Sequence, residues 1–153
     1  MRYFILLFVL LASLAWADDK LTLVGPDGGD VELQPAEGQV LVLHFWATWC
    51  PTCIDDIRHL QNAATTCSNE SVRVVLVNVG EGDKVIGEFV KENDVGLRVL
   101  RDPKGRLWRQ TDGRGLPANL FWSSEDKRTE VGSKTEAEWR SILASQGCST
   151  NPN

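Results

Sequence analysis

The sequence lacks any cluster of basic residues, which limits the partners that it can bind. Its 153 residues include 16 Lys and Arg against 21 Asp and Glu, so the formal net charge is −5 at pH 7. Nucleic acids and anionic membrane surfaces are usually bound through clustered positive charge. The sequence therefore argues against both as partners.

The sequence also lacks a full set of metal ligands. A structural zinc site needs about four nitrogen or sulfur ligands. The two histidines and four cysteines contain no second Cys-x-x-Cys and no His-x-x-x-His. We therefore expect no resident metal and no other cofactor. One alternative stays open, in which Cys50 and Cys53 bind a soft ion such as Cu(I) with His44 as the only candidate third ligand.

No apolar run is as long as the roughly 20 residues that a membrane-spanning helix needs. The most apolar segment, Tyr3–Leu14, follows a basic residue and precedes Ala15-Trp16-Ala17, which has the small-x-small form of a signal-peptidase site. This pattern predicts a signal peptide over residues 1–17 and a single domain over residues 18–153. A retained N-terminal anchor is the alternative, and the absence of a cysteine near the cleavage point argues against a lipoprotein.

Export would bring the four cysteines into a compartment where disulfides persist. We therefore predict a periplasmic location. Such a set of cysteines allows two disulfides, one disulfide with a free dithiol, or a metal site, so their spacing has to distinguish these possibilities.

Hydrophobic periodicity and turn residues predict strands that alternate with helices. Thr135 and Glu138 have the spacing of a capping box, and Asp83 is predicted to cap an earlier helix. The predicted strands are Leu21–Val24, Val31–Leu33, Val40–Trp46, Val72–Val79, Leu97–Leu100, Asn119–Trp122 and Arg128–Val131. The predicted helices run from Cys50 to around Ala64–Thr66, from Asp83 to about Glu92, around Leu107–Gln110, and from Thr135 to near Gly147. This order predicts one α/β domain with a mixed sheet.

The most informative stretch joins an apolar strand to a helix through a Cys-x-x-Cys pair. Cys50 falls at the N-terminus of this helix, with Pro51 in the first turn, where a missing N–H costs nothing. Unpaired backbone N–H groups and the helix dipole lower the pKa of a cysteine in such a position, and Cys53 follows one turn later. The spacing predicts a redox-active pair. A purely structural disulfide is the alternative, although a bridge across two residues constrains little of the unfolded chain.

Further motifs accompany this pair. They are Leu21-Thr-Leu, Asp27-Gly28, Val31-Glu-Leu33, Phe45-Trp-Ala-Thr-Trp-Cys-Pro-Thr-Cys53, Val77-Asn-Val-Gly-Glu81 and Gly115-Leu-Pro117. Together they resemble the TlpA/ResA-like exported thioredoxins, a family that includes cytochrome c maturation reductases. The resemblance implies a thioredoxin-like fold, in which a central mixed sheet is flanked by helices and extended by an N-terminal β-hairpin.

The resemblance also implies roles for individual residues. Cys50 would be the attacking thiolate and Cys53 the resolving thiol. Pro117 matches a cis-proline beside the dithiol, and Glu81 matches an acidic residue that tunes the thiols and helps to move protons. The alternatives are a trans proline that starts a strand and a glutamate that is merely solvated.

His44 departs from the family pattern, because thioredoxin-like chains usually have aspartate or asparagine at this strand position, beneath the resolving cysteine. A neutral imidazole there could accept the Cys53 proton, whereas the alternative is a core histidine hydrogen-bonded to backbone. We expect the other histidine, His59, to be exposed on the polar side of its helix, together with Asp55 and Asp56.

The resemblance bears on the remaining cysteines as well. In a thioredoxin fold the first and last helices lie on one face of the sheet and run the same way, so their C-termini are neighbours. Because Cys67 follows the first of these helices and Cys148 follows the last, we predict a structural disulfide between them. Two independent thiols, or a bond from Cys148 to a partner protein, are the alternatives.

These features predict an exported thiol–disulfide oxidoreductase that reduces protein disulfides. Expected clients are proteins such as apocytochrome c or a protein with a metal site, and an electron donor in the membrane would keep the dithiol reduced. The chain is expected to be a monomer. The alternatives are a general disulfide oxidase or isomerase and the Cu(I)-binding module, whereas a peroxidase would require a Pro-x-x-x-Thr-x-x-Cys motif that is absent.

Overall fold

The computed structural model describes residues 20–149, which form a seven-stranded sheet with four helices. The strands are β1 (Leu21–Val24), β2 (Asp30–Leu33), β3 (Val40–Trp46), β4 (Val72–Val79), β5 (Arg98–Asp102), β6 (Ala118–Trp122) and β7 (Lys127–Val131), and the helices are α1 (Pro51–Ala64), α2 (Asp83–Glu92), α3 (Arg106–Gln110) and α4 (Glu136–Ser145). The predicted signal peptide over residues 1–17 lies outside the described residues. None of the helices in this range is long and apolar enough to cross a membrane.

The sheet is mixed, with the strand order β2-β1-β5-β4-β3-β6-β7. The pairs β3–β4 and β4–β5 are parallel, and the other neighbours, including the β1–β2 hairpin, are antiparallel. β3 lies near the centre and is buried along almost its whole length, as a sequence that is apolar except at His44 predicts. The predicted α/β class, with helices around a mixed sheet and an N-terminal hairpin, is confirmed.

Alternate residues of β3 enter two separate hydrophobic clusters, one on each face of the sheet. On one face Trp46 packs with side chains from α1, α2 and α4, among them Ile57, Phe89 and Trp139. On the other face Phe45 packs with the β1–β2 hairpin and with Leu107 of α3. The strand that leads to the cysteine pair is therefore held firmly from both sides.

The two predicted helix caps have different outcomes. The capping box of α4 is confirmed, since the Thr135 side chain accepts from the Glu138 backbone and the Glu138 side chain accepts from the Thr135 backbone. The prediction that Asp83 caps α2 is wrong, because Gly82 is the N-cap residue and makes no side-chain cap bond. Asp83 lies in the first turn instead, where its carboxylate forms an ion pair of 2.7 Å with Arg101 on β5.

The ends of α1 and α4 are joined by a disulfide. α1 and α4 pack side by side, and the sulfurs of Cys67 and Cys148, which follow them, are bonded at 2.01 Å. Hydrogen bonds from Asn69 and Ser71 to the Gly147 carbonyl hold the same segment independently of the sulfurs. The C-terminal segment is therefore tied to the start of β4 by both covalent and polar contacts.

Candidate active site

The cysteine pair lies at the junction between the end of β3 and the start of α1. Cys50 is the N-cap residue of α1, in an extended conformation with φ −100° and ψ 98°, and Pro51 occupies the first helical position. The Cys53 backbone N–H points at Cys50 Sγ, 3.3 Å away. The two sulfurs form a disulfide with a Cα–Cα distance of 5.3 Å. Negative charge that develops on Cys50 Sγ after reduction would therefore face backbone N–H groups and the positive end of the helix.

The two sulfurs differ in their access to solvent. Cys50 is 5% exposed, whereas Cys53 is completely buried, and the neighbouring Trp49 is 69% exposed. An incoming client disulfide can therefore reach only the first cysteine of the pair. The Trp49 side chain supplies an apolar surface beside it.

The loop before β6 approaches the same end of β3. The Leu116–Pro117 peptide bond is cis, and the antiparallel register pairs Phe45 with Ala118. Continued by one residue, this register sets Pro117 opposite Trp46, where the turn to the cysteines begins. The indole N–H of Trp108 donates to the Gly115 carbonyl at 3.2 Å and so anchors the loop.

Glu81 binds the turn that carries the cysteines. Its carboxylate accepts hydrogen bonds from the Thr48 backbone N–H at 2.8 Å, from the Thr48 hydroxyl at 2.5 Å and from the Asn78 amide at 2.6 Å. Partial burial raises the pKa of Glu81, but the hydrogen bonds from Asn78 and Thr48 outweigh it and hold the pKa below its usual range. Glu81 is therefore ionised at neutral pH and is not simply solvated.

His44 lies in a cluster that we term the buried polar cluster, formed by His44, Asp56, Asn119 and Trp139, all of them fully buried. Nδ1 of His44 lies 2.7 Å from Oδ1 of Asn119, its partner across the β3–β6 ladder. Since a carbonyl oxygen only accepts, this nitrogen carries the proton of the neutral ring. Burial lowers the pKa of His44 and outweighs the raising effect of Asp56 and Asn119. His44 is thus neutral at pH 7 and is bonded to a side chain, not to backbone.

The expectation that Asp56 lies on the solvent side of α1 is wrong. Its Oδ1 accepts from the indole N–H of Trp139 and from the Lys134 backbone N–H at 3.2 Å. These donors come from α4 and the loop before it, so the carboxylate is satisfied inside the protein and not by water. His59 is likewise not freely exposed, because it is partly buried with Nδ1 3.1 Å from the Lys134 carbonyl oxygen.

Within residues 20–149, no group of three or more His, Cys, Asp or Glu is arranged to hold a metal ion. For the Cu(I) hypothesis, His44 was the only candidate third ligand. That side chain is fully buried, and its Nδ1 is engaged by Asn119. The described part of the chain thus offers the two cysteines without a supporting ligand.

The fold and the site define a class of protein, one with a thioredoxin-like fold and a disulfide at the N-terminus of its first helix. Residues 17–125 match the AhpC/TSA family, and the chain belongs to this family. The sporulation thiol-disulfide oxidoreductase A of Bacillus subtilis is 29% identical over 114 residues, which cover 71% of this chain and 68% of that protein. The thiol-disulfide oxidoreductase ResA of Bacillus subtilis is 29% identical over 112 residues, which cover 73% of this chain and 63% of that protein.

A solved structure supports the fold. The crystal structure of StoA from Bacillus subtilis has a TM-score of 0.69 at 24% identity, and the match covers 82% of this chain and 96% of that chain. The predicted resemblance to ResA-like proteins and the predicted thioredoxin-like fold are thereby confirmed. The chain is a thiol–disulfide oxidoreductase, as its cysteine pair predicts.

Proposed function

We propose that the protein is exported by the signal peptide predicted over residues 1–17, and that its domain over residues 18–153 reduces protein disulfides in the periplasm as a monomer. The observation that carries this proposal is the asymmetry of the pair. Cys50 is the N-cap residue of α1 and keeps some solvent-exposed surface, whereas Cys53 is completely buried. This is the arrangement that an attacking thiolate and a resolving thiol require.

The reaction transfers two electrons to the client. The Cys50 thiolate attacks one client sulfur, the client disulfide breaks, and the departing client thiolate takes up a proton. Cys53 then loses its proton and attacks Cys50 Sγ. The bond from Cys50 to the client breaks, the second client thiolate leaves, and the protein disulfide described above is formed.

The surrounding residues support this reaction through positioning. The ionised Glu81 carboxylate holds Thr48, two residues before Cys50, by its backbone and its hydroxyl. The Pro117 loop closes the opposite side of the strand end, and Trp49 offers an exposed apolar contact to a client. The relatives are thiol–disulfide oxidoreductases, and the Cys-Pro-Thr-Cys motif resembles that of the cytochrome c maturation reductases. We therefore propose apocytochrome c or a protein with a cysteine metal site as the client, and a membrane protein as the electron donor.

The proposal is tested by trapping the client. Reduced Cys53→Ser protein should form a stable mixed disulfide with an oxidised Cys-x-x-Cys-His peptide, the sequence to which c-type haem is attached. Cys50→Ser is the matched control and should form none, since the buried Cys53 cannot be reached. Equal trapping by the two variants, or none by either, would contradict the assigned roles.

A further inference from the structure

The loop over residues 111–117, which we call the Pro117 loop, is bound closely to α3. The Trp108 indole N–H donates to the Gly115 carbonyl at 3.2 Å, and the Trp108 carbonyl accepts from the Gly113 N–H at 3.2 Å. A Cβ atom added at Gly113 would lie only 3.0 and 3.1 Å from backbone atoms of α3. Trp108 therefore holds the loop through its side chain and its backbone, and the loop runs directly against the helix.

α3 in turn depends on Asp102 for its position. The helix has only 5 residues, whereas an isolated helix needs about 12–15 residues to be even marginally stable. The two side-chain oxygens of Asp102, at the end of β5, accept from the Arg106 N–H at 2.8 Å and from the Trp108 N–H at 2.9 Å. Because Asp102 is 5% exposed, water competes little for these bonds. Trp108 is thus fixed to the end of a core strand.

The Pro117 loop leaves the backbone of one residue unpaired. The Gly115 carbonyl accepts from the indole described above, and the Pro117 carbonyl accepts from the Gly132 N–H at 2.9 Å. Within residues 20–149, no hydrogen bond engages the backbone of the intervening Leu116. Its side chain packs against the hydrophobic cluster that contains both cysteines of the redox pair. An extended client segment could therefore add backbone hydrogen bonds at this position.

We propose that Trp108 is a positioning residue for client binding. The inference rests on the proposed function and adds a residue that packs on the opposite face of the sheet from the two sulfurs. With Asp102 behind it, the indole holds Gly115 and so fixes the unpaired backbone of Leu116. If this hold is lost, the loop has to be ordered again whenever a client binds, which weakens binding. Exchange at Cys50 itself should not change.

The test compares an extended client with a small disulfide. Reduction of a fluorescence-quenched peptide disulfide gives kcat and KM, with dithiothreitol regenerating the dithiol and the protein-free rate subtracted. A small aromatic disulfide mixed with the reduced protein gives the rate of exchange at Cys50 without contacts to the loop. Trp108→Phe keeps an aromatic ring but removes the N–H. It should raise KM for the peptide about fivefold, the scale of one hydrogen bond, and leave kcat and the small-disulfide rate within about twofold.

Trp122→Phe is the matched control. It makes the same change in the cluster against which Trp108 packs, but at the end of β6 that pairs with Leu41, at the start of β3 and away from the cysteines. This variant should leave KM unchanged.

Gly113→Ala is a second test variant, which keeps the indole but inserts a methyl group between the loop and α3. It should reproduce the rise in KM. Its control is Gly87→Ala, which adds the same group on α2 where no atom lies within 4 Å.

An unchanged KM in both Trp108→Phe and Gly113→Ala overturns the inference while the proposed function stands. An equal fall in the peptide and small-disulfide rates also overturns it, since the effect would then lie in the cysteine chemistry and not in client binding. Failure of the wild type to reduce the peptide overturns the proposed function itself.

Discussion

Removal of the Cys67–Cys148 disulfide should cause a large, calculable loss of stability. The two cysteines are 81 residues apart, and in the chain-entropy model a closed loop of that length stabilises the folded state by about 4.5 kcal/mol at 25 °C. Folded domains have only about 5–15 kcal/mol in total. The double variant Cys67→Ser/Cys148→Ser should therefore lose about 30% or more of that free energy.

The assay is urea unfolding followed by far-ultraviolet circular dichroism. The midpoints of the wild type and the variant are compared with the same slope of free energy against urea concentration. With a slope of about 1.5 kcal/mol per molar urea, the midpoint should fall by about 3 M. The fold itself should persist, because Ser68, Asn69 and Ser71 still bind the segment around Gly147.

The matched control is Cys50→Ser/Cys53→Ser, which opens a loop of only 3 residues. The same relation assigns that loop about 1.6 kcal/mol, so the control should be affected much less. A loss below about 2 kcal/mol for the Cys67→Ser/Cys148→Ser pair, on the scale of the control, would refute the structural role assigned to this disulfide.

Three further predictions concern single side chains. Glu81→Gln should cost about 1–2 kcal/mol of folding free energy at pH 7. Burial raises the pKa of Glu81, but the hydrogen bonds from Asn78 and Thr48 lower it by more, so the wild type loses this stabilisation as the pH falls below 4.5. The variant should therefore lose less stability than the wild type over that pH range. Burial lowers the pKa of His44, so the unfolded chain binds a proton more readily than the folded protein, and the wild type loses folding stability as the pH falls below 6.5. His44→Asn should reduce this loss of stability and change the pH dependence of client reduction. Thr135→Ala should cost about 1 kcal/mol, since it removes the side-chain cap of α4.

Each of these variants is compared with the wild type by denaturant unfolding at several pH values. Glu88→Gln, at an exposed position on α2, is the control for Glu81, and His59→Asn is the control for His44. If the unfolding free energy of Glu81→Gln or His44→Asn changed with pH in parallel with that of the wild type, the pKa direction behind that prediction would be contradicted. An unchanged midpoint for Thr135→Ala would contradict the capping role.

Local patterns were sufficient for much of the fold. β3 is apolar except at His44 and α4 has its capping box within four residues, so both could be predicted from neighbours in sequence. The Cys67–Cys148 pairing followed from the helix arrangement that the family resemblance implies. In each case the deciding interactions are either short in sequence or common to the whole fold.

The buried polar cluster could not be predicted in the same way. Helical periodicity alone places Ile54 and Ile57 on one apolar face of α1, whereas the residues that are buried include Cys53 and Asp56 beside Ile57. The Asp56 side-chain oxygen accepts from the indole N–H of Trp139, 83 residues away, and from the Lys134 backbone N–H. Asn119, the partner of His44, is 75 residues distant. The three-residue spacing from Cys53 to Asp56 was the one available clue, and it gained meaning only from these long-range donors.

The most direct test of the central claim is the reduction potential of the Cys50–Cys53 pair, measured by equilibrium with a glutathione or dithiothreitol couple. A protein that reduces client disulfides should have a potential at or below about −220 mV, whereas an oxidant of secreted proteins lies near −120 mV. We expect a value in the lower range. A potential close to the higher value would contradict the proposed direction of electron flow.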